Sequence, residues 1–455
     1  MARWWKQWIV LAGGLLSCAS SWTPLSAQEP VGTPAGDEFP RLGAAPAAPQ
    51  GPPPHPLSLD DRGVPNGFSD EEYYPQPEPY VLKLKGEYML WHVARPQLAT
   101  TVATTSTSPN LVNGVGALGD PGTVSILGPG SFDYGQLNGG RLSAGIAPGW
   151  FMPFEISGFW MNTPSVSLLS RTSDGSTNSP VLARPFQGPN LASLNGLGQQ
   201  VVLSAGFPGE LAGSVNVSAD MSLWGIETNF LFNLGSSDTA SLDVIVGYRY
   251  TDLRESLSIS NSLRSLDNNL FISFNAVNVA GLPPGFTSVA SDSFQTRNQF
   301  NGGTIGLRPT LYVSQFTASA DLKLAMGSTH QSLNVGGVSS LQSPDGSVQT
   351  VPGGLLAVAS NSGLSSRDAF TIIPEMNVNI GFNITRHLKI FGTYNIFYWS
   401  DVIRPGDQLN NRVDSRQVPT DPTFDSTVRA TQPGRPFVTR DFWGQGFSVG
   451  VEIGF

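Results

Sequence analysis

The final nine residues read Phe447-Ser448-Val449-Gly450-Val451-Glu452-Ile453-Gly454-Phe455. Phe447, Val449, Val451, Ile453 and Phe455 are apolar, and the residues between them are small or polar. Successive side chains of a strand point to opposite faces, so this stretch is a ribbon with one apolar side. Such a ribbon suits the edge of a soluble sheet or a strand with one face in lipid. The rest of the chain chooses between them.

The alternation recurs upstream. Tyr80, Leu82, Leu84, Tyr88 and Leu90 share one face of an opening strand, against Lys83, Lys85 and Glu87 on the other. Leu142, Ala144 and Ile146 oppose Arg141 and Ser143; Phe154, Ile156 and Trp160 oppose Glu155 and Ser157. Trp224, Ile226, Phe230 and Phe232 oppose Glu227 and Asn229; Leu242, Val244, Val246 and Tyr248 oppose Asp243 and Arg249. Further on, Phe316 to Met326 alternates with Asp321 and Lys323, and Met376 to Ile384 with Glu375, Asn377 and Asn379. This is the pattern of a membrane barrel strand, apolar outward and polar inward.

Ten strands are expected, near 80–93, 138–147, 150–161, 219–234, 240–260, 294–307, 313–327, 367–384, 388–400 and 441–455. Most reach the roughly 9–11 residues that a tilted membrane strand needs. The connections alternate in length. Those at 94–137, 162–218, 261–293, 328–366 and 401–440 are long. Those at Pro148-Gly149, Gly235 to Thr239, Arg308 to Tyr312 and Thr385 to His387 are short. Outer-membrane barrels combine short periplasmic turns with long external loops. The expectation is an all-β membrane fold: a single antiparallel up-and-down transmembrane β-barrel of about ten strands over residues 80–455, with twelve as the alternative. Aromatic residues near the strand ends (Trp91, Trp150, Phe151, Trp160, Tyr394, Tyr398, Trp399 and Trp443) suit interface belts.

Composition agrees. Only 13% of the 455 residues are charged, against roughly 25% in soluble domains. The formal charge of −9 excludes the basic footprint of a nucleic-acid binder. Arg3, Lys6, the short apolar core Trp8 to Leu16 and Leu25-Ser26-Ala27 read as a signal peptide over residues 1–27. The segment 28–79, densest at Gly51-Pro52-Pro53-Pro54-His55-Pro56, reads as a disordered, proline-rich periplasmic linker. Cys18 is the one cysteine of the chain and falls within the leader. It is either incidental there or, since Leu15-Leu16-Ser17-Cys18 resembles a lipoprotein cleavage box, a lipidation site.

Two resemblances extend the reading. The terminal ribbon resembles the C-terminal signal by which bacterial outer-membrane barrels are recognised and closed, and Asp441, Phe442, Trp443 and Gly446 lead into it. In addition, an ordered set of short motifs resembles a bacterial outer-membrane group, β-barrel protein family seven. They are Glu87-Tyr88-Met89-Leu90-Trp91, Leu118-Gly119-Asp120-Pro121-Gly122-Thr123, Gly139-Gly140-Arg141-Leu142, Arg184-Pro185-Phe186 and Gly353-Gly354-Leu355-Leu356-Ala357. Ile373-Pro374-Glu375, Val402-Ile403-Arg404-Pro405-Gly406-Asp407-Gln408 and Phe442-Trp443-Gly444-Gln445-Gly446 complete it. The resemblance implies a barrel and carries no catalytic residues. The implied partners are outer-membrane lipid and the barrel-assembly machinery; an external loop partner stays unidentified.

Little in the sequence points to chemistry. The four histidines (His55, His92, His330 and His387) fall in no metal motif, and no phosphate-binding or calcium loop is present. Neither catalytic residues, cofactor nor metal is therefore expected. A hydrolase at the external rim would need His92 or His330 beside a carboxylate. The inward face is richer: Lys83, Lys85, Arg141, Arg249, Lys323 and Lys389 against Glu87, Glu155, Glu227, Asp243, Asp321, Glu375 and Glu452. A ten-stranded barrel is narrow, so these groups either pair across the lumen or line a small water-filled pore. Three functions follow: a structural or surface-interaction barrel, a narrow porin-like channel, and, more distantly, the rim-site hydrolase.

Overall fold

A computed structural model describes residues 82–107, 115–147, 152–162, 165–188, 200–266, 272–279, 285–435 and 437–455. The expected leader and linker, Tyr80, Trp150 and Phe151 lie outside these residues. Ten strands make one antiparallel ring: β1 (Leu82–Val93), β2 (Leu137–Ile146), β3 (Phe154–Met161), β4 (Leu211–Ser236), β5 (Ala240–Ser265), β6 (Thr287–Val313), β7 (Phe316–Gln342), β8 (Gly363–Asn383), β9 (Leu388–Ile403) and β10 (Thr439–Gly454). Each pairs with its neighbours in sequence, and β10 returns to β1 with Tyr88 opposite Val449 and Glu87 opposite Gly450. The Leu82 N–H donates to the Phe455 carbonyl at 3.3 Å, and the Phe455 N–H donates to the Leu82 carbonyl at 2.9 Å. Closure of this kind is what lipid demands, because no water is there to satisfy a free strand edge.

The belt is built by the alternation. Phe447, Val449, Val451, Ile453 and Phe455 all project outward and are exposed, as are Leu142, Ile156, Trp224, Phe230, Tyr248, Ile305, Leu322 and Ile380. Two expected belt residues do not belong to it. Trp91 and Trp399 are 2% and 0% exposed and point into the barrel, because each shares the parity of inward neighbours such as Met89 and Phe397.

The strands differ from the expected limits mainly at the loop end. β4 begins at Leu211, β5 runs on to Ser265, β6 starts at Thr287, β7 continues to Gln342 and β8 starts at Gly363. Much of what reads as long loop is therefore wall. Within β4 the sense of the pattern reverses. From Trp224 onward the even-numbered apolar side chains face out. Before it, Val215, Val217, Ala219, Met221 and Leu223 face in and are fully buried, while Ser214, Asn216, Ser218 and Ser222 face out. The pleat is continuous; the surrounding solvent changes from lipid to water. β5 does the same, with Leu253, Leu257 and Ile259 buried inside and Arg254, Ser256 and Ser258 outside. A second correction is at the turn end: β6 runs through Arg308 to Val313, and the turn is Ser314-Gln315 rather than Arg308 to Tyr312.

Loop segments fill the loop half. Leu98, Val102, Leu182, Phe186, Leu355, Leu356, Val358, Leu409, Val413 and Val418 join the buried strand residues in one apolar core. Two shorter strands, Ser165–Ser173 and Val348–Pro352, extend the wall beside β4 and β7.

Candidate functional site: the charged interior

Three layers occupy the interior from the turn end to the loop end. Nearest the turns is a cavity of about 340 Å³, lined by Lys83, Lys85, Glu155, Asp243, Arg308, Asp321, Lys389 and Glu452. Arg308 of β6 lines it with both terminal nitrogens on Glu155 of β3 (2.8 and 2.9 Å) and Nε on Asp321 of β7 (2.6 Å). Here two nitrogens of one planar guanidinium donate side by side to the two carboxylate oxygens, a fork that the single nitrogen of an ammonium does not provide. Glu452 of β10 holds Lys389 at 2.9 Å and Lys85 at 3.4 Å. Asp243 accepts from the Asn233 amide at 2.8 Å.

The middle layer is one connected set. Lys323 Nζ donates to both oxygens of Glu227 (2.9 and 3.0 Å) and lies 3.2 Å from Glu375. Arg249 bridges the same two carboxylates, donating through Nη2 to both and through Nε to Glu227 at 3.1 Å. Arg141 lies 3.9 Å from Glu375 and 4.0 Å from Glu87, and donates to Asn395 at 3.4 Å. Asn377 donates to Glu375, Asn229 to Glu227 and Ser448 to Glu87. Every strand except β3 and β6 contributes a side chain. Glu227, Arg249, Lys323 and Glu375 are all buried, with side-chain exposures of 8% or less.

Over this lies an aromatic layer. Trp91 packs on Phe159 (6.2 Å) and Phe397 (6.1 Å); Phe397 meets Trp399 and Phe442, and Trp399 meets Phe300. Glycines admit the Trp91 indole: a Cβ on Gly446 would fall 2.7 Å from its Cδ1, and one on Gly444 would fall 3.0 Å from its Cε3.

The loop half adds two buried ion pairs that strand periodicity alone did not single out. Arg404 donates to Glu255 (2.9 Å through Nε, 2.5 Å through Nη2) and to the Ala94 carbonyl at 2.8 Å. The Tyr134 hydroxyl donates to the same carboxylate at 3.2 Å, and burial together with that carboxylate pushes its pKa far up. Arg184 donates to Asp292 Oδ2 at 2.5 Å and to Asn261 at 3.0 Å. Asp292 Oδ1 accepts three backbone N–H groups, from Leu355 (2.9 Å), Leu356 (3.0 Å) and Ala357 (2.8 Å). A Cβ on Gly354 would lie 2.1 Å from that oxygen, so the glycine admits the carboxylate. The short sequence motifs thus have structural roles: Arg184, Gly354 to Ala357 and Arg404 pin the loops, while Arg141 and Glu375 cross the lumen.

All thirteen expected charges, Lys83 through Glu452, line the two interior cavities at the turn end and behind it. The sequence reading missed Arg308 because it placed a turn there; extending the strand by its own parity would have found it. His330 does meet a carboxylate, with Nδ1 2.8 Å from Asp368, but both side chains are exposed on the outer wall. His92 also faces out, its ring 6.3 Å from that of Trp443. No cluster of metal-ligating side chains occurs among the described residues.

No curated protein matches the chain. Solved structures similar to it include the outer membrane protease OmpT from Escherichia coli, at 11% identity over 82% of this chain and 97% of that one, with a TM-score of 0.33. The Pseudomonas putida toluene transporter TodX (10% identity, 82% and 90% covered, TM-score 0.15) and a Pseudomonas aeruginosa FadL homologue (10%, 82% and 90%, 0.17) are others. At these scores the likenesses carry no functional weight. The family model described as "Putative beta barrel porin-7 (BBP7)" matches residues 84–455. The ten-stranded ring, its lipid-facing belt and that match agree: this chain is an outer-membrane β-barrel and belongs to the BBP7 family.

Proposed function

We propose that this barrel has a structural and surface-interaction role, with its lumen closed by mutually paired charges. The supporting observation is the continuous set from Ser448 through Glu87, Arg141, Glu375, Arg249 and Lys323 to Glu227, with an aromatic layer stacked over it. Charges in such a set are held by neighbours of opposite sign, and moving one costs the others their partners. On this reading residues 1–27 direct export and 28–79 form a periplasmic spacer. Both chain ends and the short turns face the periplasm, and the folded loop half faces outward, as the even strand number and loop asymmetry of such barrels imply. Lipid surrounds the belt, and the assembly machinery engages the terminal strand.

Planar-bilayer recording of the purified full chain tests the closed lumen. The expected result is little or no steady conductance. A second reading, a narrow channel for small solutes, has one observation in its favour: the turn-end cavity reaches as far as Glu87 and Arg141. Stable single-channel steps whose ion selectivity changes in Glu375→Gln would establish that reading instead. No hydrolase is proposed: the His330–Asp368 pair stands exposed on the outer wall.

A further inference from the structure

Just beyond the belt on the outer wall, four strands place one row of side chains in register. Ser222 of β4 is opposite Arg254 of β5, Arg254 is opposite Arg297 of β6, and Arg297 is opposite Ser332 of β7. Like charges directly opposite on paired strands repel. Here a single carboxylate lies beneath both. Asp252 is fully buried and accepts from Arg254 Nε and Nη2, each at 3.2 Å, and from Arg297 Nε at 3.1 Å and Nη2 at 2.5 Å. Tyr250 donates to Asp252 at 3.3 Å and accepts from Gln299 at 2.8 Å, bracing the fork from below. The guanidiniums stay accessible, with side-chain exposures of 53% and 37%. Within the fork two cations share one anion, and a second carboxylate, Asp220, is held by the Ser256 hydroxyl at 3.0 Å on the groove side. Belt residues Trp224 and Tyr248 lie close below the fork on the same wall, so the fork stands at headgroup level.

Beside the fork runs an open groove of about 350 Å³. Its wall includes Asp220, Ser222, Ser256, Gln295, Ser332 and Asn334. These side chains carry hydroxyl, amide and carboxylate groups, a set that suits sugar hydroxyls. We propose that Arg254 and Arg297 bind the phosphate of a phosphorylated glycolipid in the outer leaflet, with its sugar lying in the adjoining groove. Planar guanidiniums pair with phosphate oxygens bidentately, and fixing two side by side lowers the ordering cost of binding. The proposal rests on the outward orientation of the loop half given above.

The test uses the full chain, purified in detergent and folded by heat-modifiability. Native mass spectrometry measures retention of three probes: a phosphorylated glucosamine-based glycolipid, phosphatidylglycerol and inorganic phosphate. The glycolipid is expected to be retained in preference to the others, and R254Q/R297Q to weaken it by about tenfold or more, on the scale of two charge-assisted contacts. R171Q/R264Q, which removes the same charge elsewhere in the loop half, is expected to retain it. Equal retention by the native chain and R254Q/R297Q, or phosphatidylglycerol or phosphate held as strongly as glycolipid, would overturn the site. Protease access to the loop half on intact cells tests orientation separately. Protected loops would overturn the orientation, and with it the glycolipid as the cellular ligand, even where binding in detergent persists.

Discussion

Glu375 faces three cations at once. Arg249, Lys323 and Arg141 all approach it, and Asn377 donates to one of its oxygens. Removing its charge leaves buried cations with too few anions, the costly way to break a buried pair. Glu375→Gln is expected to destabilise the barrel by about 3 kcal/mol, read as a lower urea midpoint of the heat-modifiable form. Asp243→Asn, at a half-exposed site whose partner is the Asn233 amide, is expected to change stability by about 0.5 kcal/mol or less. Equal midpoints for the two variants would contradict the network account. Asp292 is a second such residue, in the loop half. Asp292→Ala strands Arg184 and three backbone N–H groups, each costing about 1–3 kcal/mol when buried unpaired. Limited proteolysis is expected to open the chain around Gly353 to Val358 in that variant while the belt remains folded.

At the scale of the strand, one parity carries two meanings. In β4, Val217 is buried and Ser218 faces water, whereas farther along Phe230 faces lipid and Asn229 faces the lumen. Aspartate at Val217 is therefore expected to be severe, because it buries a charge in an apolar core. At Ser218 it is expected to be tolerated. Unfolding midpoints of Val217→Asp and Ser218→Asp decide this, and equal effects would refute the inversion. The same feature explains what was legible beforehand. The belt strands could be read because lipid and lumen make strongly different demands on alternate residues. Their continuations could not, because the apolar residues Val215, Val217 and Leu223 switch faces relative to Trp224 and Ile226. Beyond that switch apolar-outward alternation gives no signal, and the expected strands end a little past it, at 219 in β4 and at 260 in β5. The individual luminal charges could be named from parity, apart from Arg308. Which of them meet could not, since Arg249 reaches Glu375 across 126 residues of chain and three strand positions of the ring. The loop pins, Arg184 and Arg404, lie in stretches whose periodicity is too short to assign a face.

For the whole molecule, the ring is closed where its two end strands meet. β10 pairs with β1 from Val93–Gly444 to Lys83–Gly454, and Leu82 and Phe455 close the seam with two backbone bonds. Phe455 contributes little packing of its own, since it is 63% exposed at the turn end of the belt. A charge on the lipid face costs about 0–1 kcal/mol near the interface, against about 2–4 at the midplane, so Phe455→Asp should barely alter the stability of a finished barrel. Recognition during assembly is a different demand. On the reading proposed above, the outward row Phe447, Val449, Val451, Ile453 and Phe455 is what the assembly machinery would engage before the strand pairs. The expected outcome separates the two demands. Phe455→Asp refolded in detergent should keep a near-native urea midpoint, while cell fractionation should show a marked loss of heat-modifiable protein from the outer membrane. A normal outer-membrane yield would remove the assembly role from Phe455, and a collapsed midpoint in detergent would show instead that the residue acts through the stability of the seam.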